Sequence, residues 1–402
     1  MESAPPGRSA PRHRAQRESS RPAHWVLRVL LALAAAVAVV LTGVGFLVTH
    51  GVLSGLTISS ALSANDPKST GGAMNILLIG LDSRRDQDGN ALPPDVLDKL
   101  HAGDSESGGY NANTLILVRV SADGRVVAFS IPRDDYVAVS GIPGYSNIKI
   151  KEAYGLAKAA TEQRLVAEGV TDQRQLETQG REAGRIAVIR AVRDLTGVPI
   201  DYFAEINLVG FYDLTQSLGG VEVCLNHAVY DEYSGADFPA GHQELNAEQA
   251  LAFVRQRHGL ENGDLDRTHR QQAFLVSVMR RLEDSGSLTD LGEFTRVMDV
   301  ARRNLVLSQG WGESQFQKLA SLAGGDVEFR TLPVVDYQTI NGQDVNIVDP
   351  AAIKAEVAAA FDPPPNPAVD DLAPVNDSDP SGSGPSPDEG ASIDSRGIPC
   401  VN

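Results

Sequence analysis

Cysteine is almost missing from this chain: two residues, Cys224 and Cys400, among 402. With no Cys/His cluster at metal-ligand spacing, zinc-ribbon and zinc-finger architectures are excluded. No segment repeats another, which excludes a solenoid or a propeller. Charge is missing from Val29 to Thr49, a run of 21 residues. Large apolar side chains are nearly missing after Phe361, where Pro, Ser, Gly and Asp dominate and no core can form. That last stretch also distorts the charge balance. The chain carries −17 overall, but from Asp362 onward eight acids stand against one arginine. The part before it is therefore less acidic than the total suggests, and its cations are clustered.

What is present divides the chain into five segments. Residues 1–28 hold Arg8, Arg12, Arg14, Arg17, Arg21 and Arg28 against Glu2 and Glu18, a basic, disordered tail. Residues 29–49 match the roughly 20 apolar residues that span a bilayer. The arginines before them stay in the cytoplasm, so the expectation is a single-pass protein of the cytoplasmic membrane with the rest of the chain outside the cell. The competing reading is a cleaved signal peptide with Ala61-Leu-Ser-Ala64 as its site. The apolar run exceeds the usual core of about 7–15 residues, and that site lies well beyond its end. Residues 50–72 read as a Ser/Gly/Ala/Thr spacer, 73–361 as a globular domain, and 362–402 as a disordered acidic tail.

Within 73–361, strands are predicted at Asn75–Gly80, Thr114–Val120, Arg125–Ile131, Tyr202–Ile206 and Val221–Leu225. The second and third form a hairpin about Ala122-Asp-Gly124. Gly103 to Asn113 reads as a loop. Helices are predicted at Lys151–Ala167, Arg181–Leu195 and Leu208–Leu218, with Asn246 and Gln249 forming a capping box for another. Alternating strands and helices give one α/β domain: a mixed central sheet flanked by helices, preceded by one transmembrane helix. Both cysteines then lie outside the cell, where disulfides persist. Cys400 sits in a small apolar island, Gly397-Ile-Pro-Cys-Val401, at the end of a polar tail. A Cys224–Cys400 bridge docking that island is expected; two free thiols are the alternative.

The densest chemistry lies in Leu251 to Gln272, LAFVRQRHGLENGDLDRTHRQQ. Arg255 and Arg257, two apart, share a face only if extended. Arg267, Arg270 and Gln271 fall at i, i+3 and i+4 of a helix. The predicted layout is a helix ending near Phe253, an extended arginine pair, a turn at Gly263, and a second helix capped by Asp264 or Asp266. Two such cationic surfaces can converge on one dianion, since guanidinium forks match phosphate oxygens. Alone, the cluster reads equally as a solvated face with carboxylate partners. Asp82, in GLDSR directly after a strand, is placed to hold Mg²⁺ with Arg84 beside it. Arg133 ends a strand in SIPRDDYV, and Lys149 or Lys151 precedes a helix in NIKIKEAY. For each of these the plain alternative is a turn residue or a surface ion pair.

NILLIGLDSR (75–84), NTLILV (113–118), SIPRDDYV (130–137), KIKEAY (149–154) and VRQRHGLENGDLDRTHRQQ (254–272) together resemble the LytR–CpsA–Psr family of cell-wall proteins. The terminal cysteine is similar to that of its actinobacterial branch. The resemblance implies a phosphotransferase that moves a glycopolymer from a polyprenyl-pyrophosphate carrier to peptidoglycan through a phosphodiester. It implies Mg²⁺ (or Mn²⁺) at Asp82. It places Arg84, Arg133, Lys149, Arg255, Arg257, Arg267 and Gln271 around the pyrophosphate, with Asp264 and Arg270 organising that cluster. One departure stands out: the family pattern often has Asp-Thr where this chain has Asn113-Thr114, so Asn113 can ligate a metal only neutrally. Alternatives are a pyrophosphatase on the same lipid, a non-catalytic polymer binder, and a regulatory role. Nucleic acid is not an expected partner, because the arginine cluster lies outside the membrane.

Overall fold

The hairpin predicted about Gly124 is present and lies inside the sheet, flanked by a strand on each side. Ser121 and Arg125 close it through a backbone hydrogen bond of 2.9 Å, with Gly124 at φ +91°. The computed structural model describes residues 55–103, 109–284, 291–312, 314–315, 318–319, 327–362 and 397–402. The expected basic tail, the membrane span at 29–49 and residues 363–396 lie outside these. Among the described residues no helix is long and apolar enough to cross a membrane.

The strands in chain order are β1 (Thr57–Ser59), β2 (Met74–Asp82), β3 (Asn111–Val120), β4 (Val126–Ser130), β5 (Tyr136–Ala138), β6 (Asn147–Lys149), β7 (Tyr202–Asn207) and β8 (Val221–Leu225). They continue as β9 (Val229–Asp231), β10 (Ala236–Phe238), β11 (Gly241–Leu245), β12 (Leu305–Ser308), β13 (Val327–Thr331), β14 (Asp336–Ile340), β15 (Gln343–Ile347) and β16 (Cys400–Val401). The helices are α1 (Pro94–Lys99), α2 (Glu152–Ala167), α3 (Gln173–Thr196), α4 (Leu208–Ser217), α5 (Ala247–Arg255), α6 (Asp264–Asp284), α7 (Leu291–Asn304) and α8 (Pro350–Phe361).

Seven strands make one mixed sheet in the order β1-β12-β7-β2-β3-β4-β13. Side chains alternate across it, as strand geometry requires. Leu77, Ile79, Leu115, Leu117, Phe129 and Phe203 pack on one face against Tyr154, Val188, Val192, Ile353 and Val357 of α2, α3 and α8. Ile76, Ile116, Ala128 and Phe329 pack on the other, beneath Val276 of α6. A third cluster joins α4, α5 and α6 to β8, β10 and β11. Helices therefore cover both faces of a mixed sheet, as the strand–helix alternation implied.

Several expectations are corrected. The stretch read as a spacer already belongs to the sheet: β1 pairs in parallel with β12, and Ala61 and Leu62 are buried in the main core. β3 starts at Asn111, inside the stretch read as a loop. α3 starts eight residues before Arg181, because Asp172 accepts the N–H groups of Arg174 and Gln175 as a cap. Its internal glycines permit contact rather than a break: a Cβ on Gly184 would lie 2.6 Å from the Tyr154 ring of α2. The final residues dock on the domain through the expected bridge, so the tail read as disordered is held at its end. Cys400 is bonded to Cys224, and β16 pairs in parallel with β8 at Cys400↔Cys224 and Val401↔Leu225, burying Val401.

Candidate active site

The site grows from an irregularity in the central hairpin. β2 and β3 pair at Gly80↔Thr114, then at Leu81↔Ala112, leaving Asn113 as an extra residue. Such a bulge turns consecutive side chains to one face. Asn113 and Thr114 consequently both face the α6 side of the sheet, while Ala112 and Leu115 enter the opposite core. Close approach here requires Gly80, since a Cβ would meet that of Thr114 at 2.9 Å. The bulge brings Asn113 to the end of β2, where its Nδ2 donates to Asp82 Oδ2 at 3.0 Å. Its Oδ1 accepts from Arg133 Nη1 at 2.8 Å.

Arg133 also reaches the start of α6. Asp264 there receives Arg267 at 2.8 Å, Arg133 at 3.4 Å and Arg257 at 3.5 Å. Three guanidinium groups thus share one carboxylate. Asp266, not Asp264, ties the turn preceding the helix: it accepts the backbone N–H of Asn262 at 3.0 Å. The expected extended arginine pair is corrected in part. Arg255 is the last residue of α5, and the chain leaves the helix at Gln256 (φ −53°, ψ 137°) before Arg257. The helix thus runs two residues further than expected, and the single extended residue Gln256 gives the pair a common direction, so both line the same cavity.

Asp82, Asn113, Arg133, Arg255, Arg257, Arg267 and Gln271 all line one cavity of about 430 Å³ between the sheet and α4, α5 and α6. Arg84 stands near enough to Arg255 to disfavour its charge. Lys149 and Lys151 do not line the cavity. Both serve Asp134, at 3.5 and 2.6 Å, and Asp134 meets Arg133 on its other side. Burial raises the Asp134 pKa, but Arg133, Lys151 and Lys149 outweigh it and hold the carboxyl down at about 2. Asp134 was not singled out in the sequence, although it directly follows Arg133.

Arg270 is a correction. On a helix, i+3 and i+4 fall on opposite sides of i. Gln271 follows Arg267 into the cavity, whereas Arg270 turns away and is fully buried, donating to Gln256 Oε1 and to the Asn402 carbonyl. Gln256 in turn donates to the His258 carbonyl at 3.1 Å. Arg270 therefore touches the arginine loop only from behind.

The cavity itself is mostly apolar below this rim, lined by Leu78, Ile116, Phe211, Leu214, Phe274 and Leu275. Sequence reasoning did not name these residues. A signal existed: Phe274 and Leu275 continue the face of Arg267 and Gln271 at i+7 and i+8. Electrostatics at the rim are unbalanced. Burial pushes Arg267 down to about 9, opposed by Asp264 and reinforced by Arg133 and Arg257. Burial likewise lowers Arg255 and Arg257. Crowded, desolvated cations of this kind are relieved by an anion. Asp82 Oδ1, Arg84 Nε and Nη1, and Arg267 Nε are buried atoms without hydrogen-bond partners. Behind the rim, buried Arg181 donates to Asp86 O at 2.6 Å and to Gln87 Oε1 at 3.2 Å, holding the loop that follows Arg84.

A cationic rim above an apolar pocket, built on GLDSR and RQRHGLENGDLDRTHRQQ, is joined by direct comparison with known proteins. Residues 50–360 match the model of the LytR_cpsA_psr family. The chain belongs to that family. Among its relatives, the cell wall biosynthesis protein LcpA of Corynebacterium glutamicum is 39% identical over 368 residues, 89% of this chain and 70% of that protein. The polyisoprenyl-teichoic acid–peptidoglycan teichoic acid transferase TagU of Oceanobacillus iheyensis is 27% identical over 271 residues, 67% of this chain and 69% of that protein. In fold, the chain is similar to protein gbs0355 of Streptococcus agalactiae, with a TM-score of 0.52 at 20% identity over 72% of this chain and 88% of that one. The membership agrees with the mixed, doubly covered sheet.

Proposed function

We propose that this member of the LytR–CpsA–Psr family is a membrane-anchored phosphotransferase that moves a glycopolymer from a polyprenyl-pyrophosphate carrier to peptidoglycan. The observation carrying this reading is the junction of an apolar cavity with a rim of Arg133, Arg255, Arg257 and Arg267. A prenyl chain fits the first and a pyrophosphate the second. The names of its relatives, a cell wall biosynthesis protein and a teichoic acid transferase, support it.

Phosphoryl transfer asks the protein for positioning and charge neutralisation more than for covalent chemistry. The acceptor hydroxyl oxygen forms a bond to the sugar-side phosphorus, and the bridging P–O bond breaks. Prenyl phosphate departs with that electron pair, and the hydroxyl proton passes to it or to water. Arg133, Arg257 and Arg267, fixed by Asp264, hold the phosphate oxygens. Arg255 donates to the Leu100 carbonyl at 2.7 Å and so faces the rim from a fixed root. The test is a single-turnover assay of the full chain with labelled prenyl-pyrophosphate-sugar. Release of prenyl phosphate together with labelled peptidoglycan is expected. Release with water alone as acceptor indicates a pyrophosphatase, and binding without release a polymer binder. Protease added to intact cells checks the orientation: residues beyond about Thr49 should be digested and the basic tail spared.

The residues fit a magnesium ion in part. Asp82 offers a buried oxygen without a partner, but the Asn113 oxygen is turned to Arg133. Asp82 would hold the ion, which would supply charge neutralisation to phosphate oxygens. With one carboxylate, an ion here would be held mainly with the help of substrate phosphates and water. Calorimetric titration should therefore find weak Mg²⁺ binding to the protein alone and tight binding with a prenyl-pyrophosphate analogue. Asn113→Asp should tighten the first, and Asp82→Ala should remove both. Equal affinity in every case would place the metal elsewhere.

A further inference from the structure

Beyond the rim, the β9–β10 hairpin presents the two most exposed large hydrophobic side chains among the described residues, Tyr230 at 70% and Tyr233 at 78%. Exposure of this kind commonly marks a binding surface, and here it is built rather than loose. Asp231, itself buried, accepts the Tyr233 N–H at 3.0 Å and the Ser234 hydroxyl at 2.8 Å, and its carbonyl accepts the Gly235 N–H at 3.0 Å. The turn bearing Tyr233 is thus clamped at three points. The Tyr233 ring lies against the His258 ring with centroids 4.5 Å apart, and His258 Nδ1 is 3.7 Å from Asp231. Tyr230 stands opposite the exposed Asp237 across the hairpin, on the face away from the Asp231 side chain.

The position of this platform decides what it takes. His258 directly follows Arg257, and its carbonyl is pinned through Gln256 to buried Arg270. Exposure rises outward along this path, from 5% for the Arg267 side chain to 45% for Arg257 and 64% for His258. A linear lipid–pyrophosphate–sugar substrate runs in the same direction: apolar chain inside, phosphates at the arginines, sugar beyond them. A pyranose offers apolar C–H faces ringed by hydroxyls. An amphipathic tyrosine ring on a clamped turn suits such a face, and the imidazole beside it suits the hydroxyls.

We propose that Tyr233 and His258 form a subsite for the first sugar of the donor, immediately beyond its pyrophosphate. This rests on the phosphotransferase reading, and the test separates the two. The full chain is titrated with farnesyl pyrophosphate and with farnesyl pyrophosphate carrying one N-acetylglucosamine. The wild type should bind the sugar-bearing probe about tenfold more tightly, the order expected of one well-placed aromatic contact. Tyr233→Ala should reduce that preference to about twofold or less and leave farnesyl pyrophosphate affinity unchanged; Tyr233→Phe should retain most of it. Tyr233 and His258 are both exposed, so the fold should survive, and His258→Ala should likewise reduce the preference. An undiminished preference in Tyr233→Ala overturns the subsite. So does a defect confined to the KM for peptidoglycan, which would make the platform an acceptor site. Failure of the wild type to bind farnesyl pyrophosphate at all would instead bring down the reading of the rim itself.

Discussion

Arg257→Ala is expected to lower single-turnover transfer by about 10²–10³-fold while leaving the melting temperature close to that of the wild type. Losing one preorganised contact to a phosphoryl group costs on the order of 2–4 kcal/mol of transition-state stabilisation. Arg257 is the cleanest position to test. Its side chain is nearly half exposed and meets Asp264 only at 3.5 Å, so little folding energy depends on it. Arg267 is different: it is buried and holds Asp264 by two contacts, at 2.8 and 2.9 Å. Arg267→Ala should therefore lose both rate and stability. Removing it leaves Asp264 with only the longer contacts to Arg133 and Arg257, so a largely buried charge is less well compensated. Arg257→Lys should restore only part of the rate, because an ammonium presents a point charge where the guanidinium presents a fork. Wild-type transfer by Arg257→Ala would mean that the rim is a solvated arginine face and that the reaction lies elsewhere.

The arginine rim was legible because helix and turn signals are local. A capping box at Asn246 and Gln249 starts α5, Gly263 with φ +53° turns the chain, and i, i+4 spacing aims Arg267 and Gln271 together. What the sequence could not convey was long-range. The bulge that turns Asn113 beside Asp82 depends on the register between β2 and β3, and register is set by pairing. The service of Lys149 and Lys151 to Asp134 depends on how β5 and β6 fold back. Glu205 illustrates the same limit. A glutamate in a strand pattern reads as a solvent-facing residue, yet it is fully buried, accepting Arg185 at 2.8 and 2.9 Å. That pair is tolerated because the guanidinium accompanies the carboxylate into the core. Arg270 fell to a geometric ambiguity: i+3 spacing permits two directions, and Gln256 together with the docked C-terminal segment selects one.

That docked segment supports the second large expectation. Cys400→Ser should destabilise the domain by about 2–5 kcal/mol, because the bridge closes a loop of 176 residues and the loop-closure entropy removed from the unfolded chain grows with its length. The noncovalent hold on this end is slight. β16 is two residues long, with Val401 buried and Asn402 meeting Arg270 and Asn226. Without the bridge, holding the tail in place costs the ordering of its own residues, about 1–2 kcal/mol each. Its release would uncover Val401's pocket and take the Asn402 carbonyl from Arg270. Gln256, which pins the arginine loop, would lose a rigid partner. Denaturant titration under oxidising conditions should show a lower midpoint for Cys400→Ser. Reductant should lower the wild type to the same value and leave the variant unmoved. A variant with the wild-type midpoint would mean that the terminal strand adds nothing to the stability of the domain and that Arg270 is held by Gln256 alone.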